Sequence, residues 1–575
     1  MKRGAQLKII LTAINAKFIH TNLAVRSIAR YVAHRGQRGV EMAEYTINHR
    51  PRGILEDLFA RRGDVYLFSC YIWNIELAVT VARELRKVLP QAVLLAGGPE
   101  ASAHPRYFLR ENPCFSAVVA GEGEATCREL FSLMDRGEDW RGCAGLSLPQ
   151  ADNPPRAPLS MDALPFAYGD LGDLRHRILY YESMRGCPFR CAYCLSSLSQ
   201  GVRMRGLELV FGDLKRFLDA GVPQVKLVDR TFNADPGRAM DIWRFLAEHD
   251  NGVTNFHFEL AGDLLDDEAL AFLPTLRPGQ FQFEIGVQSA NPQTLEAIRR
   301  ACDLDKLAVR VRALRAAGNI HLHLDLIAGL PVEDFESFGN SFDWVYRLTP
   351  HQLQLGFLKV LGGSEMERRA GEYGIVYESR PPFQVLCTNR LTFGELSELE
   401  RVAEMVDAYY NSGRFGNILK HLCAQFPSPF AFYRSLASFW HGRGHETEPL
   451  SKIGYYDLLG AFMAHSGVPV SQRAQWLCKL DLAGHEKIRK LPGWVAVDGT
   501  PPLRERIRQF YRSEENISRY LPGYVAREPG YIAKVCHIEV FPPGILPGEP
   551  EETALLFDYS RRDPLGRAVI QKIQL

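Results

Sequence analysis

The stretch Met184-Arg185-Gly186-Cys187-Pro188-Phe189-Arg190-Cys191-Ala192-Tyr193-Cys194 decides how this chain is read. Three of its twelve cysteines fall within eight positions here. Thiolates at spacings of four and three can surround one small soft-metal centre, and metal spacing is among the stronger signals in a single sequence. A structural zinc site would take a fourth Cys or His at regular spacing, and none stands nearby. Three cysteines on a four-iron cluster leave one iron open to a further ligand. The other nine cysteines, from Cys70 to Cys536, are scattered, mostly in apolar contexts, and read as small core residues.

Working outward, the cysteines follow the apolar run Ile178–Met184, the first of six. The others are Gln224–Val228, Asn255–Leu260, Gln280–Val287, Ile320–Ile327 and His351–Leu358, with helical patterns such as Leu295–Ala301 and Asp305–Ala317 between them. Six βα units with no doubled-back strand predict a partial (β/α)6 barrel over residues 170–384, with functional residues at the strands' C-terminal ends.

Upstream, a proline-rich linker from Pro149 closes an α/β domain over residues 1–165. Its predicted strands are Leu7–Thr12, Val65–Cys70, Ala92–Ala96 and Ala117–Ala120, alternating with helices Asn22–His34 and Ile75–Leu89. That order predicts a doubly wound, Rossmann-like sheet. Two strands end in Gly97-Gly98-Pro99 and Gly121-Glu122-Gly123-Glu124, at the edge where such sheets bind ligands.

Residues 385–575 read as a mainly helical domain with short terminal strands. Helices are expected at Leu396–Tyr410, Ile453–His465 and Ser471–Leu480, and strands at Ile532–Phe541, Ala554–Tyr559 and Val569–Leu575. The aromatic run Phe426–Tyr433 reads either as a pocket lining or as ordinary helical core. This domain is expected to cover the open side of the barrel, so truncation near 385 should leave metal binding intact.

With 46% hydrophobic and 23% charged residues, the 575-residue chain is neither disordered nor fibrous. A net charge of +1 gives no overall basic field for nucleic acid. The mild basic run Arg203, Arg205, Lys215 and Arg216 reads as solvated charge. No apolar run approaches the ~18 residues of a membrane span. Leu7–Ile14 is short for a signal peptide and is followed by Lys17, so it reads as a first buried strand. A cytoplasmic protein with neither membrane nor nucleic-acid partner is expected.

Cys-x-x-x-Cys-x-aromatic-Cys after a first barrel strand resembles the radical S-adenosylmethionine (SAM) enzymes. The resemblance implies that Cys187, Cys191 and Cys194 hold a 4Fe-4S cluster whose free iron binds SAM, which is cleaved reductively to a 5′-deoxyadenosyl radical. Tyr193 would lie beside the adenine. By the same likeness Glu259, Gln288, Arg300 and Asp325, with Ile327 beside it, would hold the rest of SAM. An ammonium takes a carboxylate, a carboxylate a guanidinium, and a ribose diol a carboxylate or amide. One segment departs: where many members carry Gly-Gly-Glu, this chain has Leu227-Val228-Asp229-Arg230-Thr231-Phe232-Asn233, which resembles an Asp-Asp-x-Phe version.

The glycine-ended N-terminal sheet followed by a proline-rich linker and the cysteine motif resembles the cobalamin-binding branch of these enzymes. That implies cobalamin bound at Asn15, Ser69, Tyr71, Gly97, Gly98, Pro99, Gly121, Glu122 and Gly123. Cobalamin proteins that ligate cobalt from below carry Asp-x-His-x-x-Gly after the first strand. Here that loop is Asn15-Ala16-Lys17-Phe18-Ile19-His20, so no protein imidazole is expected beneath cobalt. His20 is expected to cap or pack at the start of a helix, and Cys70 to be a packed thiol. The whole chain resembles bacterial members with a C-terminal domain of unknown function. The resemblance implies methylation of an unactivated carbon in a small-molecule or peptide substrate, with an electron donor such as flavodoxin or ferredoxin. It leaves open a non-methylating rearrangement or cyclisation, RNA modification, and a non-catalytic cobalamin and cluster sensor.

Overall fold

The run Ile-Ile-Leu-Thr-Ala-Ile-Asn forms β1 (Ile9–Asn15), buried at every residue. Such runs belong to strands covered on both faces. Ile10 and Ile14 enter one apolar cluster with Tyr66, Phe68 and Leu94. Ile9, Leu11 and Ala13 enter a second with Leu67 and Leu95. The computed structural model describes residues 7–575 except 37–38, 200, 445–449, 498–500 and 563–565.

In chain order β2 (Val40–Thr46), β3 (Val65–Ser69), β4 (Val93–Gly97), β5 (Ala117–Val119) and β6 (Leu146–Ser147) complete a sheet ordered β2-β1-β3-β4-β5-β6. All its pairs are parallel except β5–β6. The four expected strands are present. The sequence reading missed β2, an edge strand whose Glu41 and Met42 are exposed, so it lacks a continuous apolar run. Helices Leu23–His34 and Ile75–Val88 stand where expected, the first capped by Asn22, whose side chain accepts from Val25 N–H.

Next come β7 (Leu179–Tyr181) and a small antiparallel pair, β8 (Met184–Arg185) and β9 (Arg203–Met204), which brackets the cysteines. Then follow β10 (Gln224–Leu227), β11 (Asn255–Leu260), β12 (Phe281–Gln288), β13 (His321–Ala328) and β14 (Gln352–Phe357). The sheet order is β14-β13-β12-β11-β10-β7, an open run as a partial barrel requires. The first expected strand is shorter than Ile178–Met184, because Met184 belongs to the hairpin. A small pair, β15 (Val376–Tyr377) and β16 (Val385–Cys387), follows.

The chain forms two compact units, Met1–Phe335 with Gly356–Phe393, and Glu336–Leu355 with Gly394–Leu575. The second is mainly helical and ends in an antiparallel sheet of β17 (Cys536–Phe541), β18 (Thr553–Arg562) and β19 (Ala568–Ile573). The expected strand Ile532–Phe541 is corrected: its first part is the end of a helix, Pro529–Val535, and only Cys536–Phe541 is extended. Of the two readings of Phe426–Tyr433, core applies. Phe432 and Tyr433 are fully buried, and Tyr433 and Phe430 pack on Phe342. Among the described residues no helix is long and apolar enough to cross a membrane.

Candidate functional site

At the C-terminal edge of the first sheet the backbone is shaped by glycine. Gly98 has φ +99°, and a Cβ there would stand 2.6 Å from the Cys70 carbonyl oxygen. Cys70 donates its N–H to the Gly97 carbonyl at 2.7 Å, and burial pushes its thiol up to about 12, so it is a neutral packed residue, as expected. Gly121, at φ +76°, faces open space. Above this edge lies a cavity of about 750 Å³. Asn15, Ser69, Tyr71, Gly97, Gly98, Pro99, Gly121, Glu122 and Gly123 all line it. Its other wall comes from the second sheet and the segments that follow its strands, the hairpin included, through Tyr180, Glu182, Arg185, Lys226, Arg230 and Glu259.

His20 does not begin the helix, which starts at Leu23. It lines the cavity instead, with Nδ1 2.6 Å from the Tyr180 hydroxyl, and Asn15 donates to its carbonyl at 3.1 Å. Burial, then the positive charges of Lys17 and Lys226, lower its pKa, so the ring is neutral at physiological pH.

The cysteine loop is pinned at several points. Gly186 has φ +97°, and a Cβ there would meet the Gly201 carbonyl at 2.1 Å, so only glycine fits. Ala192 donates its N–H to Ile298 at 2.9 Å and accepts from Met366 N–H at 2.8 Å. Cys191 is buried, while Cys187, Tyr193 and Cys194 are half-buried. Cys187 Sγ is 3.4 Å from Thr231 Oγ1, and Cys191 Sγ is 3.8 Å from Arg300 Nη1. Burial raises the Cys191 thiol while Arg300 opposes it. Burial also raises the Tyr193 hydroxyl. Among the described residues, no group of three or more His, Cys, Asp or Glu closes around a single ion. A four-iron cluster makes no such demand, because each thiolate takes its own iron.

Beside the loop, Gln288 ends β12 at φ +72°, where the register with β13 shifts. A Cβ on Gly286 would meet Gln288 Nε2 at 2.1 Å. The buried Gln288 Oε1 and Arg300 Nε have no hydrogen-bond partner. Buried polar atoms are normally paired, so these two fit a site built for a polar ligand. Arg300 also donates to the Gly286 carbonyl.

One face of the second sheet carries a polar ladder that the sequence reading took only in part. Lys226 Nζ lies 2.9 Å from Glu284 and 3.5 Å from Glu259. His257 Nε2 is 3.0 Å from Glu284, and His323 Nε2 is 2.9 Å from Asp325. Burial acts against the Glu284 carboxylate, but His257 and Lys226 outweigh it and hold its pKa far below the usual range. Ile327 is half-buried two residues beyond Asp325. Lys226, His257, Glu284 and His323 were missed. Their signal is the period-two alternation with phenylalanine and leucine, as in Phe256-His257-Phe258-Glu259-Leu260.

The departure at residues 227–233 has a clear layout. Asp229 is fully buried and accepts from Ser183 N–H at 2.8 Å, Ser183 Oγ at 2.5 Å and Met184 N–H at 3.0 Å. Its carboxylate holds the entry to the hairpin. Thr231 faces Cys187, and Arg230 reaches the cavity 3.4 Å from Glu259.

Three family models match in succession: the B12 binding domain over residues 9–131, the Radical SAM superfamily over 181–345, and a protein of unknown function, DUF4080, over 371–557. The uncharacterized methyltransferase PH0819 of Pyrococcus horikoshii is 29% identical over 47% of this chain and 61% of its own length. The cobalamin-dependent radical SAM methyltransferase TokK of Streptomyces tokunonensis is 26% identical over 55% of this chain and 51% of its own. The chain thus spans between half and two thirds of these relatives. Among solved structures, the apo cobalamin-dependent SAM radical enzyme OxsB matches with a TM-score of 0.60 at 16% identity, over 80% of this chain and 75% of that one. The methyltransferase TsrM of Kitasatospora setae, with cobalamin and a [4Fe-4S] cluster bound, matches at 0.55 and 16%, over 66% and 79%. At that identity these two likenesses establish the fold. In chain order, then, a B12 binding domain, a radical SAM domain and a DUF4080 domain are matched, the arrangement in which this chain is similar to cobalamin-dependent radical SAM enzymes.

Proposed function

We propose that this protein is a cobalamin-dependent radical SAM methyltransferase acting on an unactivated carbon of a small-molecule or peptide substrate. The observation that carries the reading is the 750 Å³ cavity, walled on one side by the glycine-ended sheet and on the other by Lys226, Arg230 and Glu259. Cys187, Cys191 and Cys194 would hold a 4Fe-4S cluster, and the nine residues of the first sheet's edge would hold cobalamin. When bound, the cluster delivers the electron that cleaves SAM and cobalamin carries the methyl group, so the hard chemistry belongs to the cofactors.

The chain's own residues bind and orient. Gly121 lets the backbone approach a large ligand closely. Arg300 offers a guanidinium, and Gln288 an amide oxygen, to the polar groups of SAM. Asp325 and Glu259 offer carboxylates for its ammonium and ribose. Tyr193 offers a ring for its adenine. The relatives named as methyltransferases support this reaction class. An electron donor such as flavodoxin or ferredoxin and a cytoplasmic location belong to the same reading.

Untargeted metabolite comparison between a strain lacking the protein and its parent tests it. A metabolite present in the parent and replaced in the deletion strain by one lighter by a methylene is expected. Accumulation of an isomer of the product, with no change in carbon count, would favour rearrangement and contradict methyl transfer.

A further inference from the structure

Arg185 stands two residues before Cys187, in β8. Its guanidinium meets three carboxylates at once. Nε lies 2.8 Å from Glu182, Nη1 3.1 Å from Glu122, and Nη2 2.6 Å from Glu124. Glu122 is the N-cap residue of the helix Gly123–Asp135 that follows β5, Glu124 lies in its first turn, and Glu124 also accepts from Ser27 Oγ at 2.8 Å. Arg203, the β9 partner of Arg185, pairs with the other Glu122 oxygen. Two guanidinia therefore join the hairpin that brackets the cysteines to the helix start that walls the cavity.

This is not a surface ion pair. The Arg185 side chain is 15% exposed and that of Glu124 4%. Exposed pairs contribute little to stability, whereas leaving one partner of a buried pair uncompensated is costly. Glu122, Glu124, Glu182 and Arg185 all line the cavity. Without Arg185, Glu124 and Glu182 would lose the guanidinium that pairs with them and Glu122 would keep Arg203. The two would repel one another and any ligand carrying a phosphodiester.

We propose that Arg185 is a positioning residue that fixes the cysteine hairpin against the Gly121–Glu124 segment and so sets the separation between the iron–sulfur cluster and cobalamin. This rests on the cofactor assignment made under Proposed function. Arg185 need touch neither cofactor, because it acts through the two backbone segments that it joins.

The test compares full-length protein, reconstituted anaerobically, with Arg185→Gln and Arg185→Lys. Iron content, hydroxocobalamin affinity and the distance between the reduced cluster and cob(II)alamin by pulsed dipolar paramagnetic resonance are read on each. Arg185→Gln should keep its iron, bind hydroxocobalamin at least about tenfold more weakly, and give a broadened distance distribution. Arg185→Lys should fall between, because a compact ammonium keeps the charge but cannot meet three carboxylates together. An Arg185→Gln protein with the parent's affinity and distance distribution would overturn the positioning role alone. A parent that takes up no cobalamin or no cluster would overturn the cofactor assignment, and the positioning role with it. If Arg185→Gln does not accumulate folded, Glu124→Gln carries the same comparison. A broadened distribution is again expected, and an unchanged one overturns the proposal.

Discussion

Arg300 and Cys191 touch: the guanidinium Nη1 lies 3.8 Å from the cysteine sulfur, and the same guanidinium donates to the carbonyl of Gly286. One side chain thus spans the cysteine loop and the end of β12, and its buried Nε has no partner of its own. Replacing Arg300 by Lys removes the planar fork that allows this while keeping the charge. SAM affinity should fall by about tenfold, as expected for one charge-assisted hydrogen bond, with iron content unchanged. Equilibrium SAM binding beside iron counting checks this. Unchanged SAM affinity would remove Arg300 from the site.

Gly98→Ala forces an L side chain into φ +99° and drives its Cβ to 2.6 Å from the Cys70 carbonyl. Backbone strain of this kind costs about 1–3 kcal/mol. The thermal midpoint should drop, and cobalamin uptake should drop with it, because the edge of β4 must shift. Melting curves and hydroxocobalamin titration of the variant check both. Gly121→Ala also has positive φ but open space for its Cβ, so its melting point should fall less.

Much of this was legible in the sequence, for identifiable reasons. β1, β3, β4 and β5 are covered on both faces and read as apolar runs. β2 has an open edge and did not. The cysteine spacing and the glycines report backbone geometry directly, and they fall in the segment bracketed by the β8–β9 hairpin and at the edge of the first sheet. Lys226, Glu284, His257 and His323 escaped because their signal is an alternation within strands that look like core. His20 was expected to cap or pack at the start of a helix because the apolar period begins near it, whereas Asn22 caps that helix and leaves His20 to Tyr180. Glu182 is three positions from Arg185, but Glu124 and Glu122 lie 61 and 63 positions before it, and no local pattern connects them.

Truncation near 385, expected from the sequence to leave metal binding intact, would also cut through a packed unit. Helix Phe335–Tyr346 lies in the barrel's sequence, yet residues 336–355 group with the C-terminal unit. Phe342 packs at 5.6 Å on Phe430 and 5.7 Å on Tyr433, and both would be removed. Phe338 also packs on Phe430; burying a phenylalanine contributes about 1.5–3 kcal/mol, so exposing Phe338 and Phe342 together should make a chain ending at 384 aggregate. Size-exclusion chromatography of the truncated chain checks this. A monomeric, cluster-loaded fragment would contradict it.

Asp481 accepts N–H bonds from Ile418 at 2.9 Å and Asn417 at 3.0 Å, at the start of helix Gly416–Cys423. Burial raises its pKa from 3.8 to about 6, although these donors pull the other way. A raised folded-state pKa means that the folded chain binds the proton more tightly than the unfolded one. Stability from this group is therefore greatest below pH 3.8 and is lost as pH rises to about 6, by about 3 kcal/mol in all. Asp481→Asn cannot titrate, so its melting temperature should fall less between pH 4 and 6 than that of the parent. Parallel pH profiles would contradict the assignment.

The central claim is that Cys187, Cys191 and Cys194 hold the cluster that cleaves SAM. Its most direct test is 5′-deoxyadenosine formation by anaerobically reconstituted full-length protein with SAM and dithionite, measured beside iron content. The parent should carry about four iron atoms per chain and form 5′-deoxyadenosine. The triple variant with all three cysteines replaced by alanine should lose the iron and form none. A triple variant that kept near-full iron and still produced 5′-deoxyadenosine would contradict the account.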